Sequence, residues 1–166
     1  HSAKNLYKAK VNFAQVVKDA LADRVLIRAV AYVVNTEGGE EQGFFDALIK
    51  SGIETKTKPL QVFFGGAKKG DWDVGIAVDA IKLAPRLDSI VLVSGDGDFV
   101  PLLEFLRNHF GCQVEVISFG RSASAKLKET TDDFIDLDAN PKKYLLGFGQ
   151  TKRTTRKPRV KKNNVG

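Results

Sequence analysis

Residues 89–99 read Ser-Ile-Val-Leu-Val-Ser-Gly-Asp-Gly-Asp-Phe, and this stretch decides the fold class. Its apolar, largely β-branched first half is typical of a strand that is covered on both faces. Two glycines and two aspartates follow at once. In open parallel sheets, functional residues lie just beyond the carboxyl ends of the strands. The stretch therefore predicts a buried strand that ends in an acidic site.

Strand and helix patterns alternate on both sides of this stretch. Strands are predicted at residues 25–34 (VLIRAVAYVV), 53–62, 114–119 and 134–137. Helices are predicted at residues 13–22, 44–50, 72–83, 99–110 and 122–131. This alternation predicts an α/β, Rossmann-like three-layer sandwich, with a mostly parallel central sheet and helices on both faces. The near-continuous apolar runs place residues 25–34 and 89–93 at the centre of the sheet, whereas Pro59 places its strand near the edge.

The net charge of +6 is confined to the C-terminal end of the chain. Residues 151–166 contain seven Lys or Arg and no acid, whereas the remaining residues contain 19 basic and 20 acidic residues. We expect one domain over residues 1–138 and a basic, disordered tail over residues 139–166. Such a tail either solubilises the protein or adds non-specific affinity for phosphates, and composition alone does not separate the two.

Composition also excludes several classes of protein. The single cysteine, Cys112, forms no internal disulfide, and no apolar run reaches the ~20 residues of a membrane span. We therefore expect a cytoplasmic protein without membrane contact. One cysteine and two histidines exclude zinc held by a cysteine cluster. No Walker-type phosphate loop is present, and GDGDF lacks the spacing of a dinucleotide-binding fingerprint.

Asp96 and Asp98 stand two residues apart, directly beyond the predicted strand. Two carboxylates this close repel each other, which raises a pKa unless a cation lies between them. Mg²⁺ and Mn²⁺ are the natural cations, because hard ions bind through oxygen. Asp98 alone is better explained as the N-cap of the next helix, and Asp96 alone as a turn residue. For the pair after a buried strand, a metal site is the favoured interpretation.

A second acidic stretch covers residues 70–79 (GDWDVGIAVD). Asp73 shares a helical register with Ala77 and Ile81, so we expect it to face the sheet. A carboxylate in an apolar register needs a partner, which makes Asp73 a candidate ligand. Asp79 flanks the same apolar stripe and is either a further ligand or a surface acid. Asp71 fits an N-cap.

Two basic or aromatic features accompany this second stretch. Lys68 and Lys69 lie in a predicted flexible loop, where Lys69 either contacts phosphate or stays solvated. Trp72 either stacks on a base or packs in the core, and core packing is the favoured interpretation.

A third stretch, Gly120-Arg121-Ser122-Ala123-Ser124, joins a strand end to a helix start on the same rim as Asp96. Backbone N–H groups and the helix dipole favour an anion there, and Arg121, Ser122 and Ser124 would add phosphate contacts. Ordinary N-capping explains the serines equally well. The three acids around the last strand are assigned to solvent or capping: Asp132, Asp133 and Asp136.

Three motifs together resemble the LabA-like branch of the NYN domains, within the PIN-like nuclease superfamily. They are KGDWDVGIAVDAI (69–81), IVLVSGDGDFVPLLEFLR (90–107) and VEVISFGRSASAKLKETTDDFIDL (114–137). The resemblance implies a PIN-like sheet and an acidic pocket that binds Mg²⁺ or Mn²⁺. By residue matching, the catalytic and metal-binding carboxylates are Asp73, Asp96 and Asp98, with Asp79 a further metal ligand.

The family pattern opens with an apolar strand that ends in Asp-x-x-Asn. Residues 2–13 resemble the stretch that follows this motif, so we expect the domain as given to lack its first strand.

The resemblance and the residues together predict a metal-dependent ribonuclease whose partner is single-stranded RNA. A non-catalytic RNA-binding or regulatory module that retains the acidic pocket is the alternative. A phosphohydrolase acting on a small phosphorylated substrate ranks third. The sequence leaves a homodimer open and does not specify which RNA is cut.

Overall fold

The computed structural model describes residues 2–35, 42–62, 64 and 68–148, without the side chains of Gln42, Val62, Lys68 and Lys69. The helices of these residues are α1 (Ser2–Tyr7), α2 (Phe13–Leu21), α3 (Gln42–Lys50), α4 (Asp73–Leu83), α5 (Val100–Phe110), α6 (Ala125–Thr130) and α7 (Pro141–Tyr144). The strands are β1 (Lys10–Val11), β2 (Val30–Asn35), β3 (Glu54–Pro59), β4 (Gln61–Val62), β5 (Lys68–Lys69), β6 (Ser89–Leu92), β7 (Gln113–Ser118), β8 (Asp133–Asp136) and β9 (Leu145–Leu146).

The longer strands pair in parallel, which confirms the predicted mixed α/β class. β6, β7 and β8 form one parallel sheet, and β2 and β3 form another. The antiparallel pairs, β1 with β9 and β4 with β5, are two residues long. Parallel strands need crossover connections, and helices α5 and α6 supply them between β6, β7 and β8.

The side chains of β7 alternate between two cores, one on each face of its sheet. Val114 and Val116 join a cluster with residues of α5 and α6, and Ile117 joins a second cluster with residues of α1, α2 and α7. This division follows from strand geometry, since successive side chains point to opposite faces. Helices therefore cover both faces of the sheet, as the sequence predicts.

The strands that were expected at the centre of the sheet are edge strands among the described residues. β2 pairs with β3 alone and β6 with β7 alone, whereas β7 has a partner on each side. Residues 25–29 precede β2 rather than form it, and Val25 is 84% exposed. The reason is that apolar side chains report what covers the faces of a strand. Lateral pairing is made by the backbone and leaves no such pattern.

Helix α4 buries only part of the register that was expected to face the sheet, since Ala77 packs inward and Ile81 is exposed. Ile76, Ala77 and Ala80 pack against the core, whereas Val74 and Val78 are exposed. Apolar residues occur on several sides of this helix, so their spacing alone did not select the buried face.

Packed structure continues past the boundary predicted at residue 138. Asn140 accepts a hydrogen bond from the Lys143 backbone, and Pro141 occupies the first turn of α7. The sequence Asn-Pro thus starts a short helix, in which proline suits the first position, instead of marking an exit to a tail. Tyr144 and Leu145 are buried, so the first residues of the expected tail over residues 139–166 belong to the packed domain. Residues 149–166 lie outside the described part of the chain.

Across the described ranges, no helix has the length and apolar character that crossing a membrane requires.

Candidate active site

The loops that follow β6 and β7 meet at the carboxyl ends of these strands. The Ser124 backbone N–H donates to the Gly95 carbonyl at 2.9 Å. A Cβ atom on Gly95 would lie 2.8 Å from Ser118 Oγ, and one on Gly97 would lie 2.7 Å from Ser124 Oγ. The glycines around Asp96 therefore let the two loops pack together.

An open cleft of about 660 Å³ lies between these loops. Its lining consists of Ser2, Ser94, Gly95, Asp96, Gly97, Arg121, Ser122, Ala123 and Ser124. Its size is typical of sites for small ligands or for a single nucleotide unit. The predicted shared rim of residues 120–124 and Asp96 is confirmed.

Asp96 is the capping residue of the turn that opens α5. Its Oδ1 accepts from the Asp98 N–H at 3.0 Å, and its own N–H donates to Ser94 Oγ at 3.2 Å. The capping role that was considered for Asp98 is therefore filled by Asp96. Both side chains are exposed at the rim, and Asp96 lines the cleft whereas Asp98 lies outside its lining.

Asp73 stands half-buried at the first position of α4, where Asp71 Oδ1 accepts from its N–H at 3.2 Å. Burial raises the pKa of Asp73, and the negative charges of Asp71, Asp96 and Asp98 raise it further. The charges of Asp96 and Asp98 thus act on Asp73. Asp71 was expected at the N-cap, but that position belongs to Trp72, and Asp71 bonds the first helical N–H from one residue further back.

The described residues do not form a closed metal cage. Within residues 2–35, 42–62, 64 and 68–148, no group of three or more His, Cys, Asp or Glu side chains is placed to hold a metal ion. Mg²⁺ commonly keeps several waters and binds through one or two carboxylates together with substrate phosphates. The hard oxygen donors and the mutual repulsion at Asp73 fit an ion held in that shared way.

Asp79 has partners on the sheet, away from this rim. Its Oδ2 accepts from Lys56 Nζ at 2.5 Å and from the Tyr32 hydroxyl at 2.7 Å. These two contacts lower the pKa of Asp79. The carboxylate therefore ties α4 to β2 and β3, a structural role in place of the metal-binding role expected of it.

The structure agrees with the prediction for Trp72 but not with the flexible loop predicted at Lys68 and Lys69. The Trp72 indole N–H donates to the Val33 carbonyl at 3.0 Å, and its ring packs against Tyr32, which agrees with core packing. The backbone of Lys68 and Lys69 forms strand β5 of a hairpin rather than the expected flexible loop. The side chain of Lys69, a predicted phosphate contact, lies outside the described residues.

Arg121 forms one wall of the cleft and is held by the carboxylate of Asp138, which was not among the predicted site residues. Its Nε and Nη2 donate to Asp138 Oδ1 at 3.2 and 3.1 Å, and its backbone N–H donates to Oδ2 at 2.9 Å. The guanidinium carbon lies 4.9 Å from the centre of the Tyr7 ring. Asp138 directly follows the strand predicted at residues 134–137, and this position is the signal that could have identified it.

The serines of this wall do not cap a helix through their side chains. Helix α6 begins at Ala125, three residues later than predicted, and Ser124 makes no side-chain cap bond. Ser122 Oγ lies 2.8 Å from Ser2 Oγ and donates to the Phe119 carbonyl at 3.2 Å. These hydroxyls belong to the cleft wall. Ser2 could not be identified from the sequence, because no local pattern joins α1 to this loop.

Two further acids near β8 are structural, and of these Asp136 has the capping role that was expected, whereas Asp132 bonds to a neighbouring strand. Asp132 Oδ2 accepts from the Val114 N–H at 2.7 Å. Asp136 Oδ1 accepts from the N–H groups of Gly120 and Asp138, both at 2.8 Å.

These features define a mixed α/β domain with an acidic rim at the carboxyl ends of its parallel strands. The chain belongs to the NYN domain family, whose sequence model matches residues 2–138. This match confirms the resemblance seen in the motifs.

Two similar proteins match this chain at 31% and 32% identity. The chain is similar to the low amplitude and bright protein LabA of Synechococcus elongatus, with 31% identity over 119 residues. That match covers 68% of this chain and 63% of LabA. The chain is also similar to a protein of unknown function from Vibrio parahaemolyticus, whose crystal structure matches with a TM-score of 0.79 and 32% identity. The structural match covers 87% of this chain and 88% of the Vibrio protein.

Proposed function

We propose that this chain is a Mg²⁺- or Mn²⁺-dependent ribonuclease that hydrolyses phosphodiester bonds of single-stranded RNA in the cytoplasm. The observation that carries the proposal is the charge arrangement of the cleft. Asp96 lines the cleft together with Arg121 and the serine hydroxyls, and the charge of Asp96 also raises the pKa of Asp73, which lies outside the lining. A phosphodiester suits that arrangement, because its oxygens bind guanidinium on one side and a shared cation on the other. Membership of the NYN family supports the proposal.

Each group then has a defined task. Arg121 and the hydroxyls of Ser122 and Ser124 bind non-bridging phosphate oxygens and fix the RNA strand. Asp73, Asp96 and Asp98 would supply carboxylate oxygens for a cation that the RNA phosphate also binds, so a closed cage of three carboxylates is not required. The hydrogen bond from the Asp98 N–H keeps the Asp96 carboxylate in place. When bound, the cation supplies a water of lowered pKa and neutralises charge on the scissile phosphate.

RNA binding without turnover is the second candidate function. It is favoured by the lack of a three-ligand metal group among the described residues. The two candidates differ in one measurable respect, since only the ribonuclease shortens RNA when Mn²⁺ is added.

The test measures cleavage of a 5′-labelled, unstructured RNA oligomer by the full-length protein, in Mn²⁺, in Mg²⁺ and in EDTA. We expect cleavage in either metal and none in EDTA. Asp96→Asn should slow cleavage by roughly 100-fold or more, as is usual when an electrostatic contribution to the transition state is lost. Its melting temperature should not fall, because asparagine caps as well as aspartate.

Asp88→Asn is the matched control. Asp88 is exposed and directly precedes β6, at the opposite end of that strand from Asp96. This variant removes the same charge and should cut RNA at the wild-type rate. If wild-type protein binds the oligomer but never shortens it, the RNA-binding module replaces the ribonuclease. If Asp96→Asn cuts at the wild-type rate, the mechanism is wrong.

A further inference from the structure

Arg121 has surroundings that phosphate binding alone does not explain. Its side chain is 57% exposed, yet it is fixed on two sides. Asp138 takes one edge of the guanidinium, and the Tyr7 ring lies against the group. An exposed arginine with one such contact is ordinary, whereas two contacts from opposite ends of the sequence leave the group little rotamer freedom.

The geometry divides the donors of Arg121 into two sets. A guanidinium has one donor edge at Nε and one terminal nitrogen, and a second edge between its two terminal nitrogens. Asp138 Oδ1 accepts from Nε at 3.2 Å and from Nη2 at 3.1 Å, so it takes the first edge. The second edge points away from Asp138, and Arg121 lines the cleft with Asp96. Bidentate donors of this kind match phosphate oxygens.

Asp138 is itself held firmly. Its side chain is 12% exposed, and it accepts hydrogen bonds from the Tyr7 hydroxyl and the Arg121 backbone. Burial opposes ionisation, but these hydrogen bonds outweigh it and keep the pKa of Asp138 below its ordinary value. The Tyr7 ring also packs against Phe119 in the core, with the centroids 5.6 Å apart. Arg121 therefore contacts two side chains that are themselves held by hydrogen bonds and ring packing.

We propose that Asp138 and Tyr7 are positioning residues that aim the outer edge of Arg121 at an RNA phosphate in the cleft. This proposal rests on the proposed function for the identity of the ligand. It adds α1 to the site, since Tyr7 ends that helix and Ser2 at its start lines the same cleft.

The sign of one substitution separates positioning from general electrostatics. Asp138 is an anion beside a cleft that is proposed to hold RNA. Removing its charge should tighten RNA binding if Asp138 acts only through the electrostatic field. If it positions Arg121, the same change weakens binding, because the released guanidinium must be ordered again on each encounter.

The experiment measures the Kd of a 5′-fluorescein-labelled oligouridine by fluorescence anisotropy in EDTA, where neither metal nor turnover contributes. Arg121→Gln should weaken binding about 10-fold and reduce the salt slope by about 0.7, the effect of one lost phosphate contact on a single strand. Asp138→Asn should weaken binding about 3-fold, and Tyr7→Phe, which keeps the ring, about 2-fold. The double variant Arg121→Gln/Asp138→Asn should bind no more weakly than Arg121→Gln alone.

The Arg28–Glu54 pair supplies matched controls. Arg28 Nε and Nη2 donate to Glu54 at 2.9 and 2.7 Å, with the Arg28 side chain 38% exposed. Arg28→Gln and Glu54→Gln remove one member of a similar ion pair outside the cleft. Neither should change the Kd beyond the small effect of net charge. If Asp138→Asn lowers the melting temperature sharply, the Kd of Tyr7→Phe decides whether these residues position Arg121.

Equal or tighter binding by Asp138→Asn and Tyr7→Phe overturns the positioning role. The positioning role is also overturned if adding Asp138→Asn to Arg121→Gln weakens binding further. The two proposals also fail separately. Arg121-dependent binding without cleavage in Mn²⁺ refutes the ribonuclease and leaves the positioning role intact. Cleavage in Mn²⁺ together with a Kd that Arg121→Gln leaves unchanged refutes the positioning role and leaves the ribonuclease intact.

Discussion

Asp73 and Asp79 lie on one helix, yet their neighbours push their ionisation in opposite directions. Burial and the charges of Asp71, Asp96 and Asp98 raise the pKa of Asp73. Hydrogen bonds from Lys56 and Tyr32 lower the pKa of Asp79. A carboxylate that its neighbours repel is a candidate for binding a cation, and one that they neutralise is structural. At the scale of single residues, the environment therefore assigns roles that the residue type does not.

The first prediction at this scale is that Asp79→Asn lowers stability by about 1 kcal/mol and leaves RNA cleavage at the wild-type rate. The loss is modest because the Lys56 side chain is 38% exposed, and solvent screens the pair. Urea unfolding and the cleavage assay check the two halves. Asp73→Asn is the paired variant and should do the opposite, keeping or raising stability while losing cleavage. Loss of cleavage by Asp79→Asn at unchanged stability would restore Asp79 as a ligand.

At the scale of elements, the C-terminal segment closes the second core by anchoring to α2. Asp19 accepts from Gln15 Nε2 at 2.8 Å, from the Tyr144 hydroxyl at 2.6 Å and from Lys143 Nζ at 2.6 Å. Strand β9 pairs with β1, and the Asn12 N–H donates to the Tyr144 carbonyl at 2.8 Å. Residues 140–146 are thus part of the domain, held by one carboxylate and one short strand.

The prediction for this anchor is a pH-dependent effect of Asp19→Asn. Burial opposes ionisation of Asp19, but its three hydrogen-bond donors prevail and lower its pKa below the ordinary 3.8. A lowered pKa contributes stability above the ordinary value, and that stability is lost as the pH falls through the folded-state pKa. Asp19→Asn should therefore cost about 1 kcal/mol at pH 7 and progressively less below pH about 4.

Urea unfolding between pH 7 and pH 3 measures this difference, with exposed Asp88→Asn as the control. The control should stay within roughly 0.5 kcal/mol of wild type throughout. A cost of Asp19→Asn that grows as the pH falls would contradict the assigned role.

Elements with a local signal were predictable, and contacts between distant segments were not. Gly111 ends α5 in the left-handed region at φ 71°, as its sequence position indicates. The acidic rim after β6 was likewise expected from the order of strand and aspartates. The ion pair of Arg121 with Asp138 and the hydroxyl contact of Tyr7 were not predicted. The last of these joins residues 131 positions apart, and no periodicity records such a pairing.

At the scale of the whole molecule, the last described residue, Phe148, lies close to the cleft. The Phe148 ring contacts the Tyr7 ring edge-on, with the centroids 5.3 Å apart, and Arg121 lies against the same Tyr7 ring. The basic segment begins at residue 151, three residues further on. A chain spans at most about 3.5 Å per residue, so the first of these residues is within roughly 11 Å of Phe148. RNA that occupies the cleft is therefore within reach of the basic segment.

The last prediction is that deleting residues 151–166 leaves thermal unfolding unchanged but weakens RNA binding and flattens its salt dependence. The described residues end at Phe148, so the deletion removes no described contact. Seven positive charges without an acid release counterions from a single strand, with a contribution to the salt slope of up to about 5. Binding of a labelled oligouridine between low and moderate salt measures that slope. A tail with the same residues in shuffled order should behave as wild type, because the effect depends on charge and not on sequence. Replacing its Lys and Arg residues with Gln should reproduce the deletion. An unchanged slope after deletion would make the segment a solubiliser and leave Arg121 to supply the phosphate affinity of the domain.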